Sequence, residues 1–105
     1  MMTSDKLAEL YKVVLQHEEV LEITKEHLDR ISRENRTDYE KARKQVENAK
    51  KSLAEAQRVF SAGITSYNKS HRNIPFYRKS KIYTVKLKSK TVRFYFDQRG
   101  IPTIT

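Results

Sequence analysis

Nine Lys and Arg side chains fall within residues 70–105, interleaved with six aromatic rings. The bases are Arg72, Arg78, Lys79, Lys81, Lys86, Lys88, Lys90, Arg93 and Arg99; the only acid is Asp97, so this stretch carries a net +8. Residues 1–69 hold 13 bases and 12 acids, a net of +1. The rings are Phe76, Tyr77, Tyr83, Phe94, Tyr95 and Phe96. Ammonium and guanidinium groups bind phosphate oxygens, and exposed rings stack on unpaired bases. A field of this sign also attracts acidic protein surfaces, and charge alone does not distinguish the two.

Other chemistries lack their residues. With no Cys there is no thiolate nucleophile, disulfide or Cys-based zinc or iron–sulfur site. His17, His27 and His71 are not spaced as helix-borne metal ligands with a carboxylate partner. Gly63 and Gly100 are the only glycines, which excludes a Gly-rich phosphate loop, and no nucleophile elbow or zinc-hydrolase pattern occurs. The expectation is a non-catalytic chain without metal or cofactor. No basic n-region with an apolar run opens the sequence, and the longest aliphatic run, Val13, Val14 and Leu15, is far short of the ~20 residues that span a bilayer. A cytoplasmic location, or the nucleoid or host-cell interior, is therefore expected. Asn35 and Asn68 head glycosylation-type triplets that read as chance without an export signal.

The basic stretch must be held by what precedes it. Leu7, Leu10, Val14, His17, Leu21, Thr24, Leu28 and Ile31 recur in steps of three and four. So do Tyr39, Ala42, Val46, Ala49, Leu53, Ala56, Phe60, Gly63 and Tyr67. Such spacing predicts two coiled-coil-like helices, about 4–33 and about 38–69, joined by a turn at 34–37. One continuous helix with a stutter is the alternative. A hairpin is favoured because Thr37 and Glu40 form a capping box after the only polar break. Folding there also sets large residues of the first helix against small ones of the second, as Leu21 against Ala49.

On the outer faces, Glu26 with Arg30, Asp29 with Arg33, Glu40 with Lys44 and Glu47 with Lys51 are acid-first i,i+4 pairs. Glu19, Glu22, Glu26 and Asp29 form an acidic strip of the kind that solvates a helix. Val13, Val20 and Ile23 form a second apolar stripe that the other helix does not match. It is the candidate protein-interaction surface, to be covered by the C-terminal strands or by a second copy in a homodimer.

A linker over 70–81 then leads to a small antiparallel hairpin or three-stranded meander over 82–105. Residues 82–87 and 91–96 have strand composition, and Gly100 suits a left-handed turn position before a short edge strand containing Pro102. Alternation turns Tyr83, Val85, Leu87, Val92, Phe94 and Phe96 inwards, and Thr84, Lys86, Arg93 and Tyr95 outwards. Pairing Leu87 with Val92 would set Lys86 against Arg93, a like-charge pair that a bound anion would relieve.

The fold class expected is thus α+β, a two-helix hairpin followed by a small sheet. The functional expectation is sequence-tolerant nucleic-acid binding by Arg72, Arg78, Lys79, Lys81, Lys86, Lys88, Lys90, Arg93, Tyr95 and Arg99. The alternative is a small inhibitor or adaptor of the viral or mobile-element type, bound to a larger protein or nucleoprotein machine. DNA, RNA and protein targets all stay open. An acidic membrane surface ranks lowest, because the bases lie on strands and not on an amphipathic helix.

Overall fold

The computed structural model describes residues 3–31, 34–70, 81–97 and 100–105. Two antiparallel-packed helices, α1 (Ser4–Arg30) and α2 (Arg36–Ser70), are followed by β1 (Tyr83–Lys86), β2 (Thr91–Phe96) and β3 (Pro102–Ile104). The strands form one antiparallel sheet in the order β1-β2-β3. The α+β architecture is the expected one, and the break between the helices makes them a hairpin. The molecule measures 59 × 24 × 17 Å, so the hairpin sets its length.

Both helices start on side-chain caps. Thr3 Oγ1 accepts from Lys6 N–H at 3.1 Å. At α2 the cap is Asn35 and not the expected Thr37–Glu40 box. Asn35 Oδ1 accepts from Asp38 N–H (3.4 Å), while Asn35 Nδ2 donates to Asp38 Oδ2 (2.8 Å). The helix begins at Arg36 because this reciprocal pair satisfies its first turn two residues earlier than Thr37 would permit.

The seam lies where the 3-4 spacing puts it. Leu7, Val14, Ala42, Val46, Ala49, Phe60, Gly63 and Tyr67 are buried, and the remaining seam positions are half-buried. The surface ion pairs differ from expectation. Among the described residues, Glu26, Glu40 and Lys51 have no ion pair, and Glu47 turns back to Arg43 at 3.7 Å. Arg33 of the remaining expected pair lies outside the described residues. Exposed pairs of this kind stabilise too little to dictate rotamers.

The sheet is not an appendage beyond the helices. Val85, Val92, Phe94 and Phe96 share one core with Leu7, Ala8, Val14, Leu15, Phe60 and Tyr67. Phe94 is fully buried; its ring meets Tyr11 edge-on at 4.8 Å, stacks on Tyr83 at 5.6 Å and meets Phe96 edge-on at 5.9 Å. Tyr11 in turn reaches Phe60 at 5.3 Å, joining both helices to the central strand. The sheet docks on the face of α1 that carries Ala8, Tyr11, Leu15 and Glu19, spaced three and four residues apart. Val13, Val20 and Ile23, one possible seat for the strands, stay 39–42% exposed. The aromatic ring of Tyr11 provides a larger apolar seat for Phe94 than a row of β-branched side chains does.

The β1–β2 register also departs from expectation. Leu87 N–H donates to Lys90 C=O at 2.8 Å, so Lys88 and Ser89 alone form the loop. Tyr83 then pairs with Phe94, Thr84 with Arg93, Val85 with Val92 and Lys86 with Thr91. The slip from the expected register is two residues, which leaves the inward and outward faces unchanged. The next turn follows expectation: Gly100, at φ 80, donates to Asp97 C=O at 2.9 Å, and Asp97 N–H donates to Ile101 C=O at 3.0 Å.

Candidate nucleic-acid interface

With Tyr83, Val85, Val92, Phe94 and Phe96 turned to the helices, the pleat drives the alternate side chains to the opposite face. That outer face is formed by Thr84 and Lys86 of β1 with Thr91, Arg93 and Tyr95 of β2, and by Thr103 opposite Tyr95. Lys86 and Arg93 do not oppose each other; each faces a threonine. The expected like-charge pair is therefore absent, because the two-residue loop moves the partner of Lys86 two positions along β2, from Arg93 to Thr91. The two cations are diagonal neighbours, a separation of about 7–8 Å between backbone positions. Both are exposed, and among the described residues neither enters an ion pair. Exposed Thr84 and Thr91 add hydroxyl donors beside them. Tyr95 is half-buried, so part of its ring is open to stacking.

The other candidate cations sort differently. Lys88, at the loop, is exposed, and its charge acts on Glu19 of α1. Lys90 lies opposite Leu87, on the helix-facing side, and lines a groove beside α1. Lys81 is engaged within the molecule: its Nζ lies 3.0 Å from Asp5 Oδ1 and 5.3 Å from the centroid of the Tyr83 ring. Tyr83 Oη donates to the same carboxylate oxygen at 2.9 Å. The Lys81 and Tyr83 hydrogen bonds hold the Asp5 carboxyl below its ordinary value, and the same Asp5 contact raises Lys81. Burial pushes the Tyr83 phenol up. Arg72, Arg78, Lys79 and Arg99 lie outside the described residues.

The loop that carries Lys88 depends on a residue that reads in sequence as part of a solvating strip. Glu19 is buried, and its Oε1 accepts from Lys88 N–H at 2.8 Å. Its Oε2 accepts from Ser89 N–H at 3.1 Å and from Ser89 Oγ at 2.7 Å. Two-residue hairpin loops normally use positive-φ residues. Among the described residues, no non-glycine has positive φ, so this loop is held by a carboxylate from α1. The Ser89 hydroxyl and the Lys88 N–H lower the Glu19 carboxyl below its ordinary value. The sequence signal for Glu19 was its place four residues after Leu15, on the Ala8–Tyr11–Leu15 row. Asp5 has no comparable signal, since its partners follow it by 76 and 78 positions.

The apolar stripe divides as well. Val13 lines a groove of about 480 Å³ between the helices with Leu10, His17, Ala56 and Val59. Ile23 belongs to the groove on the sheet side, and Val20 is not among the lining residues of either. Among the described residues there is no cluster of three or more metal-ligating side chains, and no helix is long and apolar enough to cross a membrane. The outer face of the sheet can therefore offer charge, hydroxyl donors and part of one ring, with no acid–base pair at its centre.

No protein-family model matches the sequence, and neither a curated protein nor a solved structure is significantly similar to it.

Proposed function

We propose that this chain is a non-catalytic binding protein whose sheet lays its outer face along the phosphate backbone of a nucleic acid, with little sequence specificity. The supporting observation is the pair Lys86 and Arg93: both exposed, diagonal on a face whose reverse is sealed to the helices, and unpaired among the described residues. Threonine hydroxyls beside them suit phosphate oxygens, and phosphate contacts position a protein without reading bases. Lys88 adds an exposed cation at the loop, and Tyr95 offers a partial stacking surface. A cell interior, where DNA and RNA reside, is the compartment this reading implies.

The test is anisotropy titration of labelled duplex and single-stranded oligonucleotides over a range of salt. Lys86→Ala with Arg93→Ala should weaken binding to all sequences alike. It should flatten the log–log salt dependence by about 1.8 on duplex DNA, about 0.9 for each phosphate no longer neutralised. Binding that ignores salt, or a double variant with an unchanged slope, overturns the proposal.

A second reading is a protein-binding adaptor or inhibitor, including regulators of the viral or mobile-element type. The inter-helix groove favours it, because Val13 and Val59 are 40% and 37% exposed at its walls. Val13→Asp with Val20→Asp separates the readings: loss of cellular effect with intact oligonucleotide binding assigns the effect to the helices. Light scattering of the same variants reports whether a second copy is the occupant.

A further inference from the structure

On the opposite side of α1 from the Val13 groove, a groove of about 500 Å³ runs between the helix and the inner edge of the sheet. Leu15 and Ile23 wall it from α1, and Val92 and Ile104 from the strands. Ile23 is 42% exposed and Ile104 52% exposed, so the apolar floor continues to the rim. Glu18, Glu22 and Glu26 line it at i, i+4 and i+8. All three are exposed, and among the described residues none has an ion pair or a hydrogen bond from another side chain. Like charges at i,i+4 oppose helix formation. Solvating the helix requires only polar side chains here, so it does not explain why the row is acidic on a chain whose formal charge is +9. Glu19, also in the groove, is already committed to the hairpin loop.

We infer that this groove binds a cationic amphipathic segment of a partner protein, with apolar side chains on the Leu15–Ile23–Ile104 floor and Lys or Arg side chains against Glu18, Glu22 and Glu26. Charge complementarity selects the occupant: Glu18, Glu22 and Glu26 outnumber Lys90, the cation that lines the groove among the described residues, so the groove repels nucleic acid, and a purely apolar segment would leave the carboxylates against it. The carboxylates repeat every four residues, about 6 Å along the helix axis. Basic residues at i and i+4 of a partner helix have the same repeat, and helix-in-groove docking uses such anchors. The groove and the outer sheet face are on different sides of the sheet, so the chain would hold a basic protein segment and a polyanion at once. Binding in the groove does not depend on the nucleic-acid reading.

The experiment uses the full chain and three labelled helical peptides of equal length: Leu with Lys at i,i+4 spacing, the same with Ser for Leu, and the same with Glu for Lys. The Leu/Lys peptide binds at micromolar concentration and the Glu peptide does not. Replacing Leu by Ser, or using the Glu18→Gln/Glu22→Gln/Glu26→Gln variant, weakens binding about tenfold or more. Ile23→Ser also weakens it, whereas Lys86→Ala/Arg93→Ala leaves it unchanged. The glutamates are exposed, so circular dichroism should show an intact fold in these variants, and Glu22→Lys alone serves as a second charge variant. Equal binding of the Ser/Lys peptide reveals plain ion exchange and overturns the inference. So does indifference to the Gln substitutions, or concentration-dependent self-association that they abolish, which would make a second copy the occupant.

Discussion

Replacing Phe94 by alanine removes the ring through which the central strand meets α1. Phe94 is fully buried and touches Tyr11, Tyr83 and Phe96, while Tyr11 carries the packing on to Phe60 of α2. A buried Phe→Ala change costs ~3–5 kcal/mol, because transfer and cavity contributions add. Domains of this kind are stable by ~5–15 kcal/mol, so the variant stays folded only if the parent is not at the low end. With a urea dependence of about 2 kcal/mol per molar, the unfolding midpoint falls by about 1.5–2.5 M. The two probes are far-ultraviolet circular dichroism, dominated by the helices, and near-ultraviolet signals of the aromatic cluster. Because helices and sheet share one core, both transitions should move together. Phe94→Leu, which keeps much of the volume, should move them roughly half as far or less. If the helical transition stays in place while the aromatic signal collapses, the sheet is an independent appendage and the two do not share a core.

The Glu19 clamp carries a pH dependence. Its carboxyl is depressed in the fold, so its contribution is complete above the ordinary value of 4.5 and is lost as pH falls through the lower folded value. Lys88 is the cation nearby, and Glu18 and Glu22 flank it on α1. Protection of the Lys88 and Ser89 amides from exchange should therefore fall relative to that of β2 on acidification. Glu19→Gln should show that loss of protection already at neutral pH; protection that neither the substitution nor acidification lowers would contradict the clamp. Asp5→Asn frees Lys81 and raises the formal charge by one. Oligonucleotide affinity should rise, with the salt slope steepening by up to about 0.9, and an unchanged slope would place Lys81 away from the phosphates. Gly100→Ala forces a Cβ into φ 80 and should cost about 1–2 kcal/mol in thermal or urea unfolding.

Much of the fold was legible from local spacing. The seam from Leu7 to Ile31 and from Tyr39 to Tyr67 could be read because a helix repeats its face every 3.6 residues, whatever it packs against. The inward set Tyr83, Val85, Leu87, Val92, Phe94 and Phe96 was legible for the analogous reason of period two, which a two-residue slip in register does not disturb. Gly100 could be placed because only its backbone accepts positive φ without a steric cost.

The site was less legible. Lys86 and Arg93 were assigned to the right face but to the wrong pairing, and the direct like-charge repulsion expected from that pairing does not occur. The loop length that sets it depends on Glu19 accepting hydrogen bonds from Lys88 and Ser89, residues 69 and 70 positions away. Likewise, Lys81 is one cation among nine within residues 70–105 and is engaged only because Asp5 lies within 3.0 Å once the sheet has docked. Sequence alone determined the elements, their buried faces and the concentration of positive charge, since these follow from neighbours a few residues away. Tertiary structure alone decided which α1 face receives the sheet, which carboxylates are spent internally and which charges face solvent. Those outcomes depend on distances between residues far apart in the chain, and local periodicity carries no information about them.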